Sequence, residues 1–186
     1  LKRNRDVCLK VCADASRGLP FADGSVNLLT SRFLLEHLPD TEAFVAETER
    51  VLANGGAALH MFAAKYAPFN LLGWLLPAKW ARRLVERVYP AQAGILGYKV
   101  HYDQCSSRAF ARLLKKHGFR VAKLQACYHQ SAYVYACLPL FLLSACYDAV
   151  VHTLGIRPLA ASLYMRAEAV SHEASPGTEP RDQTAG

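Results

Sequence analysis

Charged side chains are scarce in this chain: Asp, Glu, Lys and Arg make up 20% of its 186 residues, against a hydrophobic fraction of 52%. That balance excludes wholesale disorder. Between Leu124 and Tyr147 formal charge is missing altogether. A membrane span needs about 20 consecutive apolar residues, and Gln125, His129, Gln130 and Pro139 interrupt this run. It reads instead as a strand followed by a short helix over Ala132–Tyr147, buried against a sheet or dipping into one leaflet. The six cysteines, at positions 8, 12, 105, 127, 137 and 146, include no C-x-x-C pair and no histidine neighbours at metal spacing. No zinc or other metal site and no disulfide are expected; free cysteines within apolar runs behave as small buried hydrophobes, as in a reducing cytoplasm. No repeat recurs at solenoid or propeller period. Leu1–Asp6 is charged and carries no signal-peptide pattern.

What the chain does have is a basic excess, 22 Lys and Arg against 15 Asp and Glu, for a net charge of +7. Such an excess suits nucleic acid, an anionic membrane or acidic substrates. The basic residues form no nucleic-acid-binding motif, so nucleic acid is not an expected partner. The length can bury a real core, and one domain is the default.

Cys12 to Phe62 organises the rest, as strand, loop, strand, helix, strand. Val7–Cys12 is short and β-branched and ends at Asp14, as a buried strand meeting a polar loop would. Gly18, Pro20, Asp23 and Gly24 mark a turn-rich connection. Val26–Thr30 is a near-continuous apolar run, the pattern of a parallel strand covered on both faces. After Pro39-Asp40, Thr41 can cap a helix whose stripe is Ala43, Phe44, Val45, Val51 and Leu52. Asn54-Gly55-Gly56 stops that helix, and Ala57–Phe62 is the next strand. Strands alternating with a helix imply right-handed crossovers and an open α/β sheet. Downstream, Ser106 or Ser107 can cap a helix burying Phe110, Leu113 and Leu114; Lys115, Lys116 and His117 favour its C-terminal end, and Gly118 closes it. Ser162–Glu168 is a plausible last strand.

Five phrases then stand in a fixed order: Asp14-Ala15; Leu19-Pro20-Phe21; Ser25-Val26-Asn27; Leu35-Glu36-His37-Leu38; and Glu49-Arg50-Val51-Leu52 followed by Gly55-Gly56. Together they resemble the second half of class I S-adenosylmethionine-dependent methyltransferases of the small-molecule (type 11) group. Gly118-Phe119 before Arg120-Val121 is similar to the family's opening of its penultimate strand, and the last strand would then lie antiparallel at the sheet's end. The resemblance implies an α/β, Rossmann-like methyltransferase sheet whose N-terminal strand-helix units are missing, with a helical lid insertion. The family's G-x-G-x-G loop and the acidic residue ending its second strand are absent, so the sequence reads as a truncated chain or gene fragment. Asn27 stands where the family usually has Asp.

The resemblance also implies roles. Asp14 would accept from the adenine amino group of S-adenosylmethionine and the Ala15 amide would donate to its ring. Thr30, Ser31 and Arg32 would line the crevice near the methionine portion, since open α/β sheets bind ligands beyond the carboxyl ends of their strands. His37 is a candidate base for a substrate hydroxyl, or a histidine that holds its loop. His101 is a second candidate base or substrate ligand. The expected organisation is a partial methyltransferase domain over 1–170 (core 7–62, lid 63–104, C-terminal helix and strands 105–170) and a disordered tail over 171–186. The expected acceptor is a small molecule or lipid-like compound. Trp74, Trp80 and the basic cluster of Lys65–Arg87 suit a lid or an interfacial helix, hence peripheral contact with the inner face of the membrane from the cytoplasm. The rival reading is a non-catalytic binding or membrane-associated module.

Overall fold

Four strands make one mixed sheet in the order β1-β2-β4-β3. The computed structural model describes residues 11–68, 70, 71, 79, 80, 83, 100–131 and 138–170. β1 (Val26–Arg32) runs parallel to β2 (Leu52–Ala63); β4 (Ser162–Ala169) lies antiparallel to β2 on one side and to β3 (Phe119–Cys127) on the other. β1, β2 and β3 therefore share one direction and end at one edge of the sheet. The last strand is antiparallel as expected, but it is inserted between β2 and β3 instead of lying at the end of the sheet.

Helices α1 (Thr41–Val51) and α2 (Ser107–Lys116) cover one face. Phe44 and Val45 of α1 and Phe110, Leu113 and Leu114 of α2 meet Ala58 and Phe62 of β2 and Leu163, Met165 and Ala167 of β4, all buried. The register explains the choice: Ala58, Ala167 and Val121 pair across the sheet, as do His60, Met165 and Leu124, so alternate residues present one inner face. Truncating one of the buried phenylalanines to Ala costs roughly 3–5 kcal/mol. On the opposite face Leu28, Leu59 and Tyr164 are exposed. Val26–Thr30 thus forms the expected parallel strand, yet it is not covered on both faces; among the described residues it is one of the two edge strands and has one open face.

Several local expectations change. The cap of α1 is Asp40, whose Oδ1 accepts from the Ala43 amide at 2.9 Å, while Thr41 is the first helical residue and fully buried. Asn54-Gly55-Gly56 does not stop α1: the helix ends at Val51, and Leu52 is already extended. The glycines serve a break in the β1/β2 register, where Val26 pairs with Leu52 but Leu28 pairs with Ala57. Gly55 has φ +74°, and a Cβ on Gly56 would sit 2.8 Å from the Ala53 carbonyl oxygen. The second helix follows expectation. Ser106 caps α2 by accepting from the Ala109 amide at 3.3 Å, and Gly118 leaves it with φ +70°.

Of the strand expected over Val7–Cys12, only Val11 and Cys12 fall within the described residues, and both are irregular and exposed. Most of the lid segment and the whole 171–186 tail lie outside them. The apolar run near the C-terminus gives α3 (Leu138–Thr153), which continues through Asp148 and past Tyr147. It is not buried against the sheet. Val151 is its only buried residue, whereas Leu138, Leu140, Leu142, Leu143 and Val150 are exposed. No helix of the described residues is long and apolar enough to cross a membrane.

Candidate active site

Thr30, Ser31, Arg32 and His37 stand at the carboxyl edge of the parallel strands, and His101 joins them through Glu36; among the described residues Asp14 and Ala15 make no contact with this group. β1 leads into Arg32 and Phe33, the latter at φ +50°, and then into a 3-10 turn over Leu35–His37. With three residues per turn, Leu35, Glu36 and Leu38 point inward and are buried, and His37 is left exposed. β2 ends at Ala63, whose amide donates to Glu36 Oε1 at 3.3 Å.

Glu36 also joins the distant segment before α2. Its carbonyl accepts from the His101 amide at 2.7 Å and the Tyr102 amide at 3.3 Å. Both candidate histidines, His37 and His101, therefore flank one anchoring residue and both are exposed to solvent. Glu36 itself is 4% exposed, and its second carboxyl oxygen is buried with no hydrogen-bond partner. Burial raises its pKa. The Cys105 thiol is buried nearby, pushed up to about 12 first by desolvation and then by the charges of Glu36 and Asp103, so it is not a nucleophile.

Asp14 sits in a tight turn. Its Oδ1 accepts from the Ser16 amide at 3.0 Å and the Ser16 hydroxyl at 2.7 Å, and Arg17 Nε lies 3.3 Å from Oδ2. These hydrogen bonds, with Arg17 adding to them, hold its pKa below the usual carboxylate value. The side chain is exposed, fixed in direction and acceptor-only. Ala15 packs half-buried against the core.

Thr30 and Arg32 face the open side of the sheet, with the Arg32 guanidinium 5.7 Å from the centroid of the Phe33 ring. Ser31 points the other way. It is buried and its hydroxyl lies 2.8 Å from His60 Nδ1. His60 is 1% exposed, with the rings of Phe110 and Phe44 packed edge-on at 5.2 and 6.1 Å. Desolvation pushes its pKa down to about 4, so the imidazole is neutral, and its Nε2 has no partner. Asn27 is exposed on β1.

Sequence reasoning singled out His37 but passed over its neighbour Glu36, and it passed over His60 in β2. For Glu36 the available signal was the two leucines three apart around it, which in a 3-10 turn bury the intervening acid. For His60 it was the alternation Ala58, His60, Phe62, which puts the histidine on the core face. The phrase Glu49-Arg50-Val51-Leu52 turns out to be a fastening. Arg50 donates to both oxygens of Glu47 (2.9 and 2.8 Å), to Asp23 Oδ1 (2.6 Å) and to the carbonyls of Leu19 and Phe21 (2.9 Å each). Glu47 Oε2 in turn accepts from the Leu19 amide at 2.9 Å. One guanidinium thus ties the Gly18–Gly24 loop to α1. Glu49 meets His117 Nδ1 at 3.1 Å, closing the C-terminal end of α2 onto α1.

With this geometry in place, the relatives can be compared. Residues 1–60 match the family model of the methyltransferase domain. No curated protein matches the chain in sequence. Among solved structures, a chain from the complex of the Haloferax volcanii Trm112 methyltransferase activator with a methyltransferase has a TM-score of 0.52 at 14% identity, covering 88% of this chain and 61% of that one. An S-adenosylmethionine-dependent methyltransferase from Mesorhizobium loti gives 0.49 at 15% identity, covering 84% of this chain and 67% of that one. One from Thermotoga maritima gives 0.46 at 14%, covering 82% and 60%. The chain thus spans about 60% of the length of the Haloferax and Thermotoga chains. Residues 1–60 thus match the methyltransferase-domain model, and the four-stranded sheet they begin has the α/β, Rossmann-like fold of the Haloferax structure.

Proposed function

We propose that this chain works in the transfer of a methyl group from S-adenosylmethionine to a small-molecule or lipid-like acceptor. The observation that carries the reading is the match of residues 1–60 to the methyltransferase family, on a sheet whose parallel strands end at one edge. The residues fit the cofactor at its adenine end: Asp14 offers an exposed carboxylate, already oriented and deprotonated, to an amino group, and Ala15 follows with its backbone amide. Thr30 and Arg32 would face the methionine portion, whereas the Ser31 hydroxyl is turned into the core and engaged by His60. When bound, the cofactor supplies a sulfonium methyl for in-line displacement. The chain would then position the acceptor and, through His37 or His101, take up the proton its hydroxyl releases. The reading places the protein in the cytoplasm, peripheral on the inner membrane face.

A second reading, a non-catalytic binding or membrane-associated module, is favoured by the outward leucines of α3. One experiment separates the two. S-adenosylhomocysteine is titrated calorimetrically into the chain, into a version extended upstream to the next in-frame start, and into that version with Asp14→Ala. Binding by the extended protein, weakened on the order of tenfold by Asp14→Ala, is the expected result. An extended protein that binds nothing refutes methyl transfer and directs attention to anionic vesicles.

A further inference from the structure

At the end of β3, alternate residues face the open side of the sheet. Leu124 and Ala126 pack against the core, so Gln125 and Cys127 turn outward, with Gln125 opposite Tyr164 of β4. His129 follows in the same alternation and is exposed. α3 lies across from these side chains, and between the two is a cavity of about 620 Å³. Its lining includes Gln125, Cys127, His129 and Tyr164 on one side and Ala145 and Asp148 of α3 on the other. That is the size of a small-molecule pocket, and the methyltransferase reading assigns it nothing.

The cavity holds a nucleophile beside a base. Cys127 Sγ lies 3.3 Å from His129 Nδ1, and the thiol is only half-buried. A thiol attacks as its thiolate, and an imidazole within hydrogen-bonding reach is the arrangement that removes its proton. The other titratable groups facing the cavity are engaged elsewhere. Asp148 Oδ2 accepts from the Ser131 amide at 2.9 Å, and the His152 ring packs edge-on against Tyr128 at 5.3 Å. The remaining described cysteines lack the pairing: Cys105 is buried, and Cys12 and Cys146 are exposed, but among the described residues neither hydrogen-bonds to a base.

We infer that Cys127 is a modification site for small disulfides that enter this cavity, with His129 as its base. His129 Nδ1 takes the thiol proton as Cys127 Sγ attacks one sulfur of the disulfide. The new bond to Cys127 forms, the reagent's own S–S bond breaks, and the departing thiolate takes the proton back from the imidazolium. One disulfide is consumed and one small thiol released, so no further oxidant enters the balance. The inference does not rest on methyl transfer by this chain.

The test is reaction of the full chain with bis(2-hydroxyethyl) disulfide at pH 7, the mixed disulfide at each cysteine being followed by peptide mass spectrometry. Cys127 should react at least about tenfold faster than Cys12 and Cys146. That lead should shrink as pH rises to about 9.5, where thiols ionise without a base. His129→Gln, at an exposed position, should bring Cys127 down to the rate of the two exposed cysteines. Ala145→Phe narrows the cavity, leaves the pair in place and should slow Cys127 alone. A Cys127 no faster than Cys12 and Cys146, a lead that persists at pH 9.5, or a rate untouched by either substitution would overturn the inference. The comparison within the native chain needs no variant, so it decides even where a substitution fails to fold.

Discussion

Acidification should destabilise this protein through one buried histidine. His60 lies on the core face of β2, 1% exposed, with its Nδ1 paired to Ser31 and two phenylalanine edges around its ring. Its folded pKa is about 4 against an ordinary value of 6.5. The unfolded chain therefore binds a proton that the folded chain refuses throughout the window between those values. Stability is full well above pH 6.5, falls as pH drops through the window, and has lost about 3 kcal/mol by pH 4, of which about 1.4 kcal/mol is gone by pH 5.5.

The assay is urea unfolding monitored by circular dichroism at half-unit steps from pH 7.5 to 4, on the native chain and on His60→Gln. Glutamine keeps a polar side chain for Ser31 but does not titrate. Its own packing cost is a constant offset, so the quantity to read is the difference between the two stability curves as a function of pH. Glu36 is perturbed in the opposite sense: its raised pKa makes its contribution grow as pH falls. Because both proteins contain it, it cancels. The difference should shrink by about 3 kcal/mol between pH 7 and pH 4. A difference flat to within about 0.5 kcal/mol would show that His60 accepts its proton in the folded state and would refute the argument.

Three further outcomes follow from other contacts. Arg50→Lys should detach the Gly18–Gly24 loop from α1, because an ammonium cannot make the five bonds of the guanidinium; limited proteolysis there should speed up on the order of tenfold while far-ultraviolet dichroism is unchanged. Gly56→Ala should cost about 2 kcal/mol in thermal unfolding, since its Cβ would press on the Ala53 carbonyl at 2.8 Å; a change below about 0.5 kcal/mol would mean the bulge relaxes. Cys105 should resist iodoacetamide at pH 8 while Cys12 and Cys146, both exposed, react; mass spectrometry of the alkylated chain reads the order directly.

The elements were legible wherever a periodic apolar pattern met a turn residue. Phe110, Leu113 and Leu114 between Ser106 and Gly118 specify α2 almost completely, and β4 was visible as a strand. What escaped was decided by partners far away in sequence. Asp40 outcompetes Thr41 as cap because Thr41 is buried, with its amide 3.4 Å from Asp103 Oδ2, a residue of a remote segment. Asn54-Gly55-Gly56 looks like a helix stop from propensity alone; only the β1/β2 register reveals that the glycines are needed inside a strand. At the site, the motif around His37 was visible but its polarity was not. A 3-10 turn buries the acid and exposes the base, whereas the eye reads the histidine as the reactive group. The apolar run ending in α3 misled in another way, for hydrophobicity without periodicity predicts burial, and this helix holds its leucines outward.

The single reversed strand sets where the other three strands end. β4 pairs with β2 on one side and β3 on the other, and being antiparallel it leaves the carboxyl ends of β1, β2 and β3 on a common edge, separated by its own first residue, Ser162. Ser162 is opposite both Ala63 and Cys127, so the chain segments leaving β2 and β3 diverge from a single point in the register. One leads past Glu36 and the two histidines; the other leads to Ser131, whose amide donates to Asp148 Oδ2. A substitution that shifted β4 by one residue would exchange the faces of Leu163 and Tyr164 and disorganise both places together.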